Sequence, residues 1–142
     1  MSPTETLAIE WACTRLINLY AHLNDAGRWD ELVALYAEDG LMTRPSAPDT
    51  PISGKPALLA GFLARPPRAS RHVCANIVVT VESTTTAQAE SNILLFSGAI
   101  DADGGLPVRD AVPPLVGRYD DRFVLTETGW RFAERRGTLC FR

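Results

Sequence analysis

Only two histidines occur in the chain, and one of them, His72, heads the stretch Arg71 to Val81, which alternates as a long β-strand does. An imidazole fixed on a rigid strand can exchange protons near neutral pH. Far upstream, Asp25 closes the amphipathic segment Leu7 to Asn24. If that helix packs on the strand, the carboxylate can meet the imidazole and orient it as a general base. Each residue also has a plainer role, His72 as a satisfied strand residue and Asp25 as turn chemistry in Asn24-Asp25-Ala26-Gly27. It is the pair that points to proton abstraction.

The elements that must position this pair can be read in outline. A helix starts after Pro3-Thr4 with Glu5 in its first turn, and Leu7, Trp11, Leu16, Ile17 and Tyr20 fall roughly on one face. A second helix is expected from Arg28 to about Ala37, burying Trp29, Leu32, Val33 and Tyr36. Asp39-Gly40 ends it before a short strand, Leu41 to Thr43. The proline-rich run Arg44 to Pro51 reads as a loop, and Pro56 to about Ala64 as a third helix with proline in its first turn. From Ser70 the period changes from 3.6 to 2. Strands are expected at Arg71 to Val81, Ala87 to Ile100, Leu115 to Leu125 and Trp130 to Phe141, with a turn at Asp101 to Gly105 and a loop at Leu106 to Pro114. Helices first and a long meander last is an α+β order, with the helices on one face of a curved antiparallel sheet.

Composition narrows the classes. The 142 residues fit one domain, and a chain of this size buries roughly two-thirds of its unfolded surface. With 14 basic and 17 acidic residues the net charge is -3, and no basic stripe is present, so nucleic acid is not an expected partner. No stretch approaches the roughly 20 apolar residues that cross a bilayer, and the start lacks a basic and apolar leader; no membrane is expected, and a cytoplasmic location is. Cys13, Cys74 and Cys140 are odd in number and widely spaced, which suits buried reduced thiols better than a disulfide frame or a zinc site. Two distant histidines without a neighbouring carboxylate pattern make no metal site, and proton chemistry should need no cofactor.

Taken together, several segments resemble one family. Tyr20 with Asp25, Trp29-Asp30, Leu35 to Gly40, Ile52-Ser53-Gly54, Arg71-His72-Val73 with Asn76, and Gly129 to Phe132 look like the nuclear transport factor 2-like superfamily, in its SnoaL-like branch. The resemblance runs over nearly the whole chain and rests on the order of these loose motifs. It implies a cone, a bent sheet wrapped around three helices with a pocket at the wide end. Asp25 and His72 match the catalytic pair of scytalone dehydratase and of hexachlorocyclohexane dehydrochlorinase in that superfamily. By that match His72 would be the base, Asp25 would accept its other ring N–H, and Tyr20 would donate toward the substrate or leaving group. A further pocket histidine of scytalone dehydratase has no counterpart between Ala87 and Ile100. Tyr20, then Tyr119, are the candidates for the leaving-group acid.

The pocket is expected to draw on Trp29, Met42, Phe62, Phe96, Tyr119 and, by period-two counting from His72, Asn76; Trp11, Leu59 and Val78 are further wall candidates. Tyr20 and Trp29 could equally be core residues. The reading is a cofactor-independent lyase acting on a small apolar cyclic compound. Alternatives are a structural subunit resembling the β subunits of ring-hydroxylating dioxygenases, a ligand-binding protein, or an isomerase of the ketosteroid type that would use a carboxylate base. An outer sheet stripe of Val73, Ala75, Ile77, Val79 and Val81 would be too apolar for water, so a homo-oligomer, dimer or trimer, is expected.

Overall fold

The computed structural model describes residues 1–142. Helix α1, Pro3–Asp25, starts one turn earlier than its apolar periodicity because Ser2 and Glu5 form a capping box. Ser2 Oγ accepts from the Glu5 N–H at 3.1 Å, and Glu5 Oε2 accepts from the Ser2 N–H at 2.7 Å. Its buried stripe is Ile9, Cys13, Leu16, Ile17, Tyr20 and Leu23, whereas Leu7 and Trp11 are exposed. Trp11 therefore plays no part in the pocket. The helix stops at Asp25, and Gly27 turns the chain at a φ of +67°.

The second helix is much shorter than its periodicity suggests. α2 spans Trp29–Val33, and Tyr36 already opens strand β1, Tyr36–Arg44. Tertiary pairing overrides local propensity here, since β1 runs parallel to the last strand, β7 (Gly129–Leu139), with Tyr36 opposite Phe132 and fully buried. The proline-rich run is not a loop either. It forms the second half of a hairpin, β2 (Ala47–Ser53), paired antiparallel with β1. Pro48 and Pro51 are tolerated because β2 is the edge of the sheet. At the hairpin tip Pro45 lies over Gly137, where an added Cβ would come within 2.6 Å of the proline ring. That glycine lets the hairpin close down onto β7.

Helix α3, Lys55–Leu63, follows, and then the long strands β3 (Ala69–Val81), β4 (Thr86–Ala99) and β6 (Leu115–Thr126), with the two-residue β5 (Val108–Arg109) inside the expected loop. The order is β2-β1-β7-β6-β4-β3, with β5 beside β4. The sheet is curved, unclosed and mixed, antiparallel except at β1/β7. The core lies between the helices and the concave face, where Tyr20, Tyr36, Leu58, Phe62, Phe123 and Phe132 are buried.

Bulges bend the sheet and change which residues face inward. In β3, Ala75 pairs with Asn92 and Val78 with Glu90, so Asn76 and Ile77 oppose Ser91 alone. Asn76 takes a φ of +54°, a left-handed conformation that asparagine tolerates better than most residues. Before the bulge His72 and Cys74 face the core; after it Ile77, Val79 and Val81 do. The expected outer stripe is thus broken, and only Val73 and Val78 of β3 remain as exposed large apolar residues. Val78 is no pocket wall. No helix is long and apolar enough to cross a membrane.

Candidate active site

Asp25, the last residue of α1, reaches the first residues of β3 and binds them with both oxygens. Oδ1 lies 2.5 Å from His72 Nδ1 and accepts from Ser70 Oγ at 3.0 Å, while Oδ2 accepts from the His72 N–H at 2.9 Å. The side chains of His72 and Asp25 are 11% and 9% exposed, so this contact is largely shielded from water. Burial alone would raise the Asp25 pKa, but the hydrogen bonds from His72 and Ser70 and the imidazole's charge outweigh it, leaving the carboxyl below its ordinary value. A carboxylate held this way keeps the proton on Nδ1. In the neutral form of the ring, which lines a cavity, Nε2 is then the free nitrogen.

That cavity measures about 700 Å³, within the range of small-molecule sites. Its apolar wall includes Trp29, Met42, Leu63, Ile93, Leu95 and Leu115. Tyr20 and Tyr119 also line it, and Asp25 is its only carboxylate. Of the expected pocket residues, Tyr20, Asp25, Trp29, Met42, His72 and Tyr119 converge on it. Three do not. Phe62 is fully buried behind Trp29, stacked on it at 5.2 Å. Phe96 pairs with Arg71 and shares the convex face, because the inward residues of β4 are Ala87, Ala89, Ser91 and Ile93. Asn76 is exposed at the bulge.

Beneath the cavity lies a polar floor whose buried ion pair, Asp121 with Arg135, the sequence did not disclose. Tyr20 Oη is 2.9 Å from Tyr36 Oη and donates toward Met42 Sδ at 3.4 Å. Arg135 is fully buried, its guanidinium 3.9 Å from the Tyr119 ring centroid and 4.4 Å from that of Tyr20. Its Nε bonds Asp121 Oδ1 at 3.1 Å. Burial drives the tyrosine hydroxyls upward, well away from ionisation, with Arg135 pulling the other way. They are kept as neutral donors. Two arginines on the cavity wall, Arg44 and Arg65, were likewise not singled out from the sequence, because hairpin closure and the turn after α3 bring them together through space. No three His, Cys, Asp or Glu side chains converge as a metal-ligand set.

The description "SnoaL-like domain" fits residues 5–136 of the chain as a family match. The chain belongs to the SnoaL-like family. Among solved structures, a protein provisionally named a scytalone dehydratase from Novosphingobium aromaticivorans is similar, at 23% identity and TM-score 0.78 over 99% of this chain and 89% of that one. The hexachlorocyclohexane dehydrochlorinase of Novosphingobium barchaimii aligns with a TM-score of 0.79 at 15% identity, covering 99% of this chain and 92% of the other. A protein provisionally named an aromatic ring hydroxylase from N. aromaticivorans aligns at 21% identity and TM-score 0.75, covering 100% and 94%. No curated protein matches the chain. At these identities the SnoaL-like cone is what the structures share.

Proposed function

We propose that this SnoaL-like protein is a lyase that eliminates water or halide from a small, mainly apolar cyclic compound, without a cofactor. The observation that carries the reading is the engagement of both Asp25 oxygens on the His72 side, which leaves Nε2 as the basic atom of a cavity-lining ring. His72 Nε2 takes a proton from carbon, the electron pair forms the new double bond, and the leaving group departs with its own pair. Asp25 stabilises the imidazolium as it forms. Tyr20 supplies the proton that a departing hydroxide needs. With the Tyr36 hydroxyl donating to Tyr20, the Tyr20 O–H is left to the Met42 thioether, a weak acceptor that a substrate oxygen would displace. Elimination is also the reaction named for the dehydratase and dehydrochlorinase neighbours.

A carboxylate-base isomerase fits less well, since the cavity's one carboxylate has both oxygens committed. A non-catalytic subunit would leave the pair only the structural task of tying the end of α1 to the start of β3. We retain homo-association, as dimer or trimer, within this reading, now through the shorter convex row Val73, Leu94 and Val116 that cross-strand pairing aligns. Sedimentation returning a monomer at micromolar concentration would remove it. For the catalytic reading, hydroxylated and halogenated cyclic compounds are screened for elimination by the purified chain. The expected result is turnover that His72→Ala lowers by on the order of 10²–10⁴-fold; an active substrate on which His72→Ala keeps full turnover would overturn the mechanism.

A further inference from the structure

Three arginines line the cavity, and they differ in what they bind. Arg68 is spent on a surface carboxylate, Asp110, whose two oxygens it holds at 2.6 and 2.5 Å. Arg44 and Arg65 take part in no ion pair. Arg44 gives one bond, from Nη2 to the Gly61 carbonyl at 2.8 Å, and its Nε is buried without an acceptor. Arg65 gives one bond, from Nη1 to Asn24 Oδ1 at 3.3 Å, and its guanidinium rests 4.8 Å from the Phe62 ring centroid. A guanidinium carries five N–H donors, so most of this capacity is unused. The two charges are also near enough to oppose each other: after burial, Arg44 is the next cause that lowers the Arg65 pKa. The cavity's one carboxylate, Asp25, forms no ion pair with either of them and is bonded instead to Ser70 and His72.

Two uncompensated guanidiniums, partly desolvated on one cavity wall, are costly unless an anion joins them. A plainer account exists. Arg44 bonds a carbonyl near the C-terminal end of α3 and Arg65 a side chain near the end of α1, where cations are favoured. That account explains one donor of each arginine. It leaves unexplained why both arginines line the same cavity with most of their donors unused.

We propose that Arg44 and Arg65 form an oxyanion subsite, so that the ligand of this cavity is an apolar ring bearing a carboxylate. The planar fork of each guanidinium suits such a group. The inference rests on the reading of this cavity as the substrate site and narrows the substrate class to ring carboxylates.

The test uses two probes of equal shape, 1-naphthoate and 1-naphthamide, titrated calorimetrically into the wild-type chain and into Arg44→Gln, Arg65→Gln and His72→Ala at low salt. The wild type is expected to prefer the carboxylate by on the order of 10- to 100-fold, the range for hydrogen bonds to a charged group. Each arginine substitution should erase most of that preference, leave naphthamide affinity in place, and shift the thermal midpoint by only a few degrees. Arg44→Lys and Arg65→Lys, which keep the charge and lose the fork, should keep part of it and serve where a glutamine variant does not fold. Equal wild-type affinity for both probes overturns the proposal. So does a glutamine variant that loses thermal stability and keeps the preference, as a helix-end role requires. His72→Ala should retain the preference, which separates this subsite from the chemistry. A preference for naphthoate in a chain that eliminates nothing would sink the lyase reading alone; elimination indifferent to a ring carboxylate would sink the subsite alone.

Discussion

The molecule contains two carboxylates paired with a nitrogen base, one part-buried at the cavity and one fully buried beneath it, and they differ in how the carboxylate is satisfied. Asp25 has three donors on its two oxygens, and its partner His72 can change protonation state while facing a cavity. Asp121 lies in the floor, where one oxygen is bonded to Arg135, while Asp121 Oδ2 and Arg135 Nη2 have no partner. Burial pushes the Asp121 carboxyl up to about 6 even against the neighbouring guanidinium. Burial would lower the Arg135 pKa too, but Asp121 and then the surrounding tyrosines more than offset it. Arginine cannot take part in proton transfer, so in the floor pair Arg135 presents a fixed guanidinium to the rings of Tyr20 and Tyr119. Satisfaction of the carboxylate, more than its depth, separates a pair suited to turnover from one suited to holding charge in place.

The comparison predicts its own largest failure at the cavity pair. His72→Ala should cost on the order of 10²–10⁴-fold in turnover, with ligand affinity almost unchanged because the pocket walls remain. Asp25→Asn should cost less, since it removes orientation and imidazolium stabilisation but not the base. Steady-state kinetics on an eliminated substrate measures both. A larger loss for Asp25→Asn than for His72→Ala would reverse the assigned roles.

At the floor pair the effect should fall on stability. Removing one partner, by Arg135→Met or Asp121→Leu, strands a buried charge and should cost about 3–5 kcal/mol, whereas the double substitution should recover much of it. Urea unfolding of the two single variants and the double variant measures the coupling. A double variant no better than the worse single one would mean that the pair is not an interacting unit.

Legibility of these pairs in the sequence follows from what each depends on. Asp25 and His72 were readable because a helix end and a strand start lie within regular local periods, and the α+β order brings such ends together. Arg135 was not, because β7 is bulged: Arg122 pairs with Glu134 and Phe123 with Phe132, so the inward parity changes between Phe132 and Arg135. Asn76 was misplaced by the same kind of slip in β3. Phe96 was misplaced for another reason. Ile93, Leu94, Leu95 and Phe96 are all apolar, so alternation gives no sign of which face is inside. Tyr36 was assigned to a helix because only its distant pairing with β7 makes it a strand residue.

The two pairs should also answer pH in opposite senses. The Asp25 pKa is lower folded than unfolded, so its stabilisation is present above the unfolded value of about 3.9 and is lost as pH falls through the folded value. Asp121 is raised to about 6 in the folded state, so the native form holds its proton more tightly. Its effect is a decline in stability as pH rises from about 4 to about 6. Urea midpoints taken between pH 3 and 7 should therefore fall less steeply at the acid end in Asp25→Asn, and decline less between pH 4 and 6 in Asp121→Asn. Identical profiles for both variants and the wild type would remove the electrostatic distinction between the pairs.

The smallest effect is expected where the two regions meet, at Tyr20, whose ring lies against Arg135 and whose hydroxyl reaches the cavity floor. Tyr20→Phe keeps the ring, the cation contact and the packing, and removes one hydroxyl hydrogen-bonded to Tyr36. The stability cost should be about 1 kcal/mol, that of one buried hydrogen bond. Its effect on turnover depends on the leaving group. Hydroxide must be protonated as it departs, so a hydroxylated ring should lose rate, whereas a halide leaves without a proton and should scarcely notice. The ratio of the two losses on matched hydroxylated and halogenated substrates measures how far the floor takes part in the chemistry. Equal losses on both would make Tyr20 a packing residue and leave the cavity pair to work alone.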